Sequence, residues 1–453
     1  MVKIGLEIHG YLNTKEKLFC NCKALHGLKL AKPNTNICPI CTGQPGAKPM
    51  LPNSEAVKKI LQAALILNCK INNVVQWKRK HYSWPDLPKG YQNTISGAYA
   101  LPVGEKGKFL GINITETHLE EDPAAWDPNS GTIDYNRSGL PLIEIVTEPE
   151  FISSEQVANW LKQLLHALSY VKAIDKNMGI KADVNISIPG GQRVEVKNVN
   201  SINNIQQVID YEIQRQEKEG QKHQETRAYD SKINKTIVMR TKEQAADYRF
   251  ITDPDLPVLK LEKSRIEKLR KELPESPDEK LEKLIKRYKI DEKSAKILTQ
   301  HIEIVEFFET IIEKIPSKIA VPWTTIELLR ILNYNKTSLD SPEIDIKSEH
   351  FIELLKAIED NKITENKAKL ILNEFYPKSF SIKSKLEEHK TISSSSEIEK
   401  IAKEVIKENK IAVDDYKSGK KESLNFLIGQ LMKKSERRAD FKTAKSILEK
   451  LLK

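Results

Sequence analysis

No apolar run in these 453 residues approaches the roughly 18 that a membrane span needs. Glu7 and His9 interrupt the N-terminal segment before a signal-peptide core can form, which predicts a cytosolic address. Cysteine is scarce, with five residues, too few for a disulfide scaffold of this length. Gly 18 and Pro 21, beside 39% hydrophobic and 30% charged residues, exclude collagen-like and disordered classes. There is no GxxxxGK[ST] loop and no GxGxxG after a strand, so a P-loop or Rossmann nucleotide site is excluded and any ATP site is built differently. No GxSxG elbow or Gly/Ser-rich amidase stretch supplies a nucleophile for amide hydrolysis.

The length predicts two to four domains with a sizeable core. Residues 397–453 hold 15 basic and 10 acidic side chains and so carry half of the net charge of +10. A local basic excess suits a polyanion, because Lys and Arg near phosphates release counterions. A solvated Lys-rich surface gives the same count, and charge alone leaves the two open. Four of the five cysteines, Cys20, Cys22, Cys38 and Cys41, form CxC and CxxC arms around a fifteen-residue loop. In a reducing compartment that spacing fits four thiolates on a tetrahedral zinc, with His26 able to replace one ligand. Cys69, in an apolar run, reads as a buried filler.

Up to about residue 260 the pattern is short alternating strands, Gly/Pro/Asn turns and two or three helices; beyond it the chain is helical and Lys/Glu-rich. The expected domains are 1–260, 261–395 and 396–453, with the first boundary near Leu256 to Leu261. Helical spacing marks Asp278–Tyr288 and Glu292–Thr310. A linker is expected over Lys378–Ser396, then a helix over Glu397–Asn409, a turn over Ala412–Gly419, and two more helices with Lys433, Lys434, Arg437 and Arg438 between them.

Val2 to Gly10 alternates strictly, so Glu7 and His9 share the face opposite Ile4, Leu6 and Ile8. In Ile112 to Asp122 one even-numbered face runs from Ile112 and Ile114 into Glu116, His118 and Glu120, suggesting a cavity mouth. Glu144 stands between two isoleucines, where a bare carboxylate is costly to bury. It needs a cation, either a basic side chain such as Arg137 or a divalent metal. Trp77 to Gln92 interleaves basic and aromatic residues with Pro/Gly turns, a mixture able to hold a phosphate and stack a base.

Taken in order, these segments resemble the B-subunit family of the aspartyl/glutamyl-tRNA amidotransferases. The resemblance is carried by Gly5-Leu-Glu-Ile-His9, the Cys arms, Pro85-Asp-Leu-Pro-Lys-Gly-Tyr-Gln92, His118-Leu-Glu-Glu-Asp122, Asp134-Tyr-Asn-Arg-Ser-Gly139, Leu142-Ile-Glu-Ile-Val-Thr-Glu-Pro149, Asp183-Val-Asn-Ile-Ser187, Lys197-Asn-Val-Asn-Ser201, Gln224-Glu-Thr-Arg227 and Asp247-Tyr-Arg249. It spans nearly the whole chain. It implies an α+β fold: a cradle-shaped catalytic domain with a mainly antiparallel sheet, an all-α domain and a small helical tRNA-binding tail. It further implies that Glu7, His9, Glu120 and Glu144 line a Mg²⁺ or Mn²⁺ site, and that ATP phosphorylates the side-chain carboxylate of Glu-tRNA(Gln) or Asp-tRNA(Asn). Ammonia then arrives from the amidase (glutaminase) A subunit, in a complex completed by a small C subunit. Lys80, Tyr82, Asp86, Lys89 and Arg249 are expected near ATP or the tRNA 3′ end.

The chain departs from the family pattern at Met178-Gly-Ile-Lys181, where Lys replaces an Arg and loses a bidentate fork, at Tyr82-Ser-Trp84, and at Phe250-Ile-Thr252. Two other readings are a zinc-stapled tRNA scaffold without chemistry and the paralogous archaeal E-type subunit, whose large inserted domain has no counterpart in this sequence.

Overall fold

The computed structural model describes the chain apart from residues 26–30, 98–99, 175–178, 242–247, 385–394, 437 and 453, together with the side chains of 240, 241, 384 and 395. His26, Met178, Asp247, Arg437 and most of the expected linker therefore lie outside the described residues. The chain forms two compact units, Met1–Ser276 and Pro277–Lys453. The fold is α+β, with a mostly antiparallel sheet followed by a helical C-terminal region.

The path of the main sheet uses β1 (Lys3–Tyr11), β2 (Lys78–His81), β3 (Gln92–Thr94), β4 (Ile112–Glu121), β5 (Pro141–Thr147), β6 (Ile180–Ser187), β7 (Val194–Asn200), β8 (Glu225–Asp230), β9 (Lys235–Thr241) and β10 (Arg249–Thr252). Their order is β9-β8-β7-β6-β1-β5-β4-β3-β2-β10, antiparallel except where β7 meets β8. The outer edge of β4 is shared, its first half by Gly104–Phe109 and its end by β3.

Alternation decides the faces. Ile4, Leu6 and Ile8 of β1, Ile143 and Ile145 of β5, Ala182, Val184 and Ile186 of β6, and Val194 and Val196 of β7 join one buried core. Helices α1 (Ser54–Ile66), α2 (Ser154–Tyr170) and α3 (Ile202–Glu219) add their apolar stripes to it. The helix α4 (Lys263–Glu272) contributes Ile266 and Leu269 to the same core. Asn53 starts α1 by accepting N–H bonds from Glu55 and Ala56, the capping that Asn favours. Cys69 packs tightly under the Gly104 strand, where a Cβ on Gly104 would come within 2.7 Å of it.

One strand differs from the sequence reading. Val146 pairs with Glu116 but Thr147 pairs with Ile114, so Thr115 is an extra residue in the β4 ladder. Ile112 and Ile114 face the core, yet beyond the irregularity it is Leu119 that does. The even-numbered face is therefore not continuous: the bulge rotates Glu116, His118 and Glu120 to the opposite side from Ile112 and Ile114.

In the second unit the segment expected as one helical stretch breaks at Thr299 to His301 into Glu292–Leu298 and Ile302–Ile312. The break lets both Leu298 and Ile302 reach the interior. The turn expected at Ala412–Gly419 is mostly a helix, Lys410–Lys417, which buries Val413. It joins Ser395–Glu408, Ser423–Lys434 and Phe441–Leu452 around a separate core that includes Ile398, Val405, Leu427, Leu431 and Leu448.

Candidate active site

On the face away from the helices, four strands lay polar side chains side by side. Register sets Lys181, His9, Glu144 and His118 directly across from one another on β6, β1, β5 and β4. One alternation to one side Asp183 faces Glu7, and one to the other Glu120 stands opposite Leu142. Cross-strand neighbours have Cβ atoms about 4.5–5.5 Å apart, so side chains from three strands can meet at one point.

His9, Glu120 and Glu144 do so. His9 Nε2 lies 3.3 Å from Glu144 Oε2 and 3.8 Å from Glu120 Oε1, and one ligand atom from each of the three falls within 4.8 Å of the others. Glu120 Oε2 is buried without a hydrogen-bond partner. An orphaned carboxylate oxygen is costly unless something positive occupies the space beside it. The isoleucines flanking Glu144 point into the core, and Arg137 is engaged elsewhere, 3.2 Å from Asp122. The side chains in close contact with Glu144 are imidazoles: besides His9, His118 brings Nε2 to 3.0 Å from the same oxygen.

Burial raises the Glu144 pKa, but His118 and His9 outweigh it and hold the carboxyl well below its ordinary range. Burial likewise opposes the charge on His9, yet Glu144 and Glu120 lift that imidazole to about 9. Glu120 moves opposite to Glu144, raised by burial and by Glu144, with Lys80 and His9 opposing. The three groups thus share a partly compensated charge with an oxygen-rich mouth, a donor set that suits a hard or borderline divalent cation.

Glu7, two residues back on β1, is not in that trio. It forms a second acidic group with Asp183 and Glu195, into which Lys197 reaches, 2.8 Å from Asp183 and 2.6 Å from Glu195. Burial raises Glu7, Lys197 opposes, and the nearby Glu144 adds to the rise.

Lys80 lies on the trio's side of the sheet. Burial opposes its charge, but Glu120 and Glu144 raise its pKa, and its ammonium sits 5.0 Å from the Tyr248 ring centre. Tyr82 meets the edge of the same ring at 5.8 Å. Asp86 Oδ1 is buried without a hydrogen-bond partner, and burial lifts its carboxyl against the pull of Arg137. Lys89 is drawn elsewhere: it donates to Glu121 and Asn93, and Glu121 leaves β4 on the face opposite Glu120. Arg249 is exposed on β10 across from His81, one residue out of phase with the Phe250 that faces Lys80. Among the family departures, Lys181 stands directly across from His9.

The thiols of Cys20, Cys22, Cys38 and Cys41 lie within 4.8 Å of one another and form no disulfide. Cys41 is pulled down to about 4 by the Cys20 thiol and by the Cys38 N–H, which donates to its Sγ at 3.2 Å. Four sulfurs with a thiolate already favoured fit a closed tetrahedral metal site. The knuckle touches the loop that carries Asp86 and Lys89: a Cβ on Gly43 would lie 2.3 Å from the Pro88 carbonyl oxygen.

His118, Asp183, Glu195 and Lys197 were not singled out in the sequence as site residues. The signal for His118 was there, since it alternates in phase with Glu116 and Glu120; the Asp183 group needed the register of β1 with β6.

The family model described as the GatB/GatE catalytic domain matches residues 2–267, and one described as the GatB domain matches residues 306–452. The B subunit of aspartyl/glutamyl-tRNA(Asn/Gln) amidotransferase from Methanococcus maripaludis strain C6 is 42% identical, over 99% of this chain and 98% of its own length. The proteins of the same name from Methanosphaera stadtmanae and Methanopyrus kandleri are 42% and 40% identical, each alignment covering at least 98% of both chains.

Proposed function

The chain belongs to the amidotransferase B-subunit family, and on that premise we propose that it uses ATP to activate the side-chain carboxylate of Glu-tRNA(Gln), Asp-tRNA(Asn) or both for conversion to the amide. The observation that carries this reading is the meeting of His9, Glu120 and Glu144 from three adjacent strands. Those residues would hold Mg²⁺ or Mn²⁺, with Glu7 beside them. A cation there would neutralise phosphate oxygens and align them for in-line transfer.

Glu144 is held ionised beside the imidazoles, and a cation binding there would displace the proton that Glu144 and Glu120 favour on His9. Lys80 supplies positive charge toward the phosphates on the same face, flanked by Tyr82 and Asp86. Lys89 and Arg249 reach ATP from this arrangement only by leaving their present positions, which makes Lys80 the principal phosphate lysine. The substrate carboxylate attacks the γ-phosphate, the bond to the β,γ-bridging oxygen breaks and ADP leaves, giving an acyl phosphate from which ammonia displaces inorganic phosphate to form the amide. Ammonia comes from the amidase (glutaminase) A subunit, since this sequence offers no nucleophile to release it, with the small C subunit completing the assembly. The Cys quartet holds a structural Zn²⁺, and residues 396–453 form the tRNA-binding tail. Among the described residues no helix is long and apolar enough to cross a membrane, and we assign the protein to the cytoplasm.

Amide formation on each mischarged tRNA by the reconstituted complex tests the reading. Glu144→Gln is expected to lower the rate at limiting Mg²⁺ by about 10²–10³-fold, the usual cost of removing one preorganised electrostatic contact. A normal rate would leave Glu144 as only a buried partner for histidine. If the wild-type complex showed no Mg²⁺-dependent ATP hydrolysis stimulated by mischarged tRNA, a scaffold without chemistry would be the better description.

A further inference from the structure

We propose that His118 is a positioning residue for the cation site, fixing the Glu144 carboxylate from the side opposite His9. The inference rests on the proposed cation site and adds a residue to it. β5 runs between β1 and β4, and His9 and His118 are the cross-strand partners of Glu144 on those two flanks. Both imidazoles lie against the same oxygen: Oε2 is 3.3 Å from His9 Nε2 and 3.0 Å from His118 Nε2, ion-pair contacts in which the buried His118 ring nitrogens complete no hydrogen bond. Close contacts from both flanking strands bias the last torsion of this carboxylate, so its direction toward the trio is favoured before any cation arrives.

His118 itself is not among the ligands. The atoms of His9, Glu120 and Glu144 lie within 4.8 Å of one another, and the described His118 does not join that set. It is 1% exposed, too enclosed to meet substrate. Its Nδ1 points toward Glu116, 3.8 Å away, whose side chain is 34% exposed at the rim. The ring thus lies between a rim carboxylate and an inner one. The Thr115 bulge makes this possible, because without it His118 would project into the apolar core.

Outer groups of this kind typically tune metal affinity by 10–100-fold. The test is Mn²⁺ binding to the full chain, read from the electron paramagnetic resonance of free Mn²⁺, so that no turnover is needed. Gln places an amide near the Nε2 position, Asn reaches only as far as Nδ1, and Leu fills the space without a donor. His118→Gln is expected to bind within about threefold of wild type, while His118→Asn and His118→Leu weaken binding by about 10–100-fold. Heat unfolding of each variant shows whether the fold is intact; should the Leu variant not fold, the contrast between Gln and Asn decides. Asn binding as tightly as wild type, or Gln as weakly as Asn, would overturn the proposal. A wild-type chain that takes up no Mn²⁺ fails differently, removing the cation site and this role with it.

Discussion

Glu212 shows what a single buried charge demands when no cation site is involved. It is fully buried on α3, accepts from Arg215 at 2.8 Å and Gln216 at 3.1 Å, and lies 3.3 Å from Arg227 on β8. Burial raises its pKa, but Arg215, Thr236 and Gln216 outweigh it and bring the carboxyl below 4.5. Because the folded value is the lower one, the contribution is complete above pH 4.5 and is lost as pH falls through the folded pKa. Glu212→Gln should therefore cost about 3–5 kcal/mol at pH 7, as breaking a buried pair does. The gap between the two urea midpoints should narrow only below pH 4.5. Lys89 offers a second case. With Glu121 as its partner, Lys89→Ala leaves a buried carboxylate uncompensated, and a stability loss of about 3–5 kcal/mol is expected in the same measurement.

Secondary-structure elements decide which of these groups meet. The extra Thr115 turns the acidic end of β4 away from the core, so its deletion should restore unbroken alternation and drive either two isoleucines outward or Glu116, His118 and Glu120 inward. Loss of Mn²⁺ uptake together with a lowered melting temperature is the expected outcome, read by calorimetry with and without the metal. The knuckle is a second such element. Gly43 sits at φ +63° against the Pro88 carbonyl, and Gly43→Ala should cost about 1–3 kcal/mol through overpacking. It should also speed release of zinc to a chelator.

Legibility in the sequence followed the same division. The faces of β1 were readable because its alternation is strict, and the Cys quartet because its ligands are close in the chain. The bulge was not, since neither Gly nor Pro marks Thr115 and only the β5 register exposes it. Nor could the partner of Lys89 be read: Glu120 and Glu121 are adjacent in sequence but leave the strand on opposite faces. For Glu144 the residues required a cation, and only the fold shows imidazoles rather than Arg137 beside it.

At the scale of the whole molecule, the basic C-terminal segment and the candidate chemistry lie in different units. The first unit holds the His9 trio and the Cys quartet, while residues 397–453, with 15 basic and 10 acidic side chains, lie in the second and build their own core. Binding of tRNA to the assembled enzyme should weaken steeply with salt, and removal of residues 396–453 should flatten that dependence by roughly one unit of slope for each phosphate no longer neutralised. Filter binding across a salt series measures it. An unchanged slope would assign the tail a role other than holding tRNA.

The place of β1 in the sheet has a consequence for how the chain is made. Leu6 N–H donates to the Thr147 hydroxyl across 141 positions, and both neighbours of β1 come late, at Pro141–Thr147 and Ile180–Ser187. On a translating ribosome β1 emerges ahead of both neighbours and keeps an unpaired edge until Ser187 has also been made. Nascent chains stalled before Ser187 should stay protease-sensitive at β1 and need a holding chaperone, and those stalled well beyond it should not.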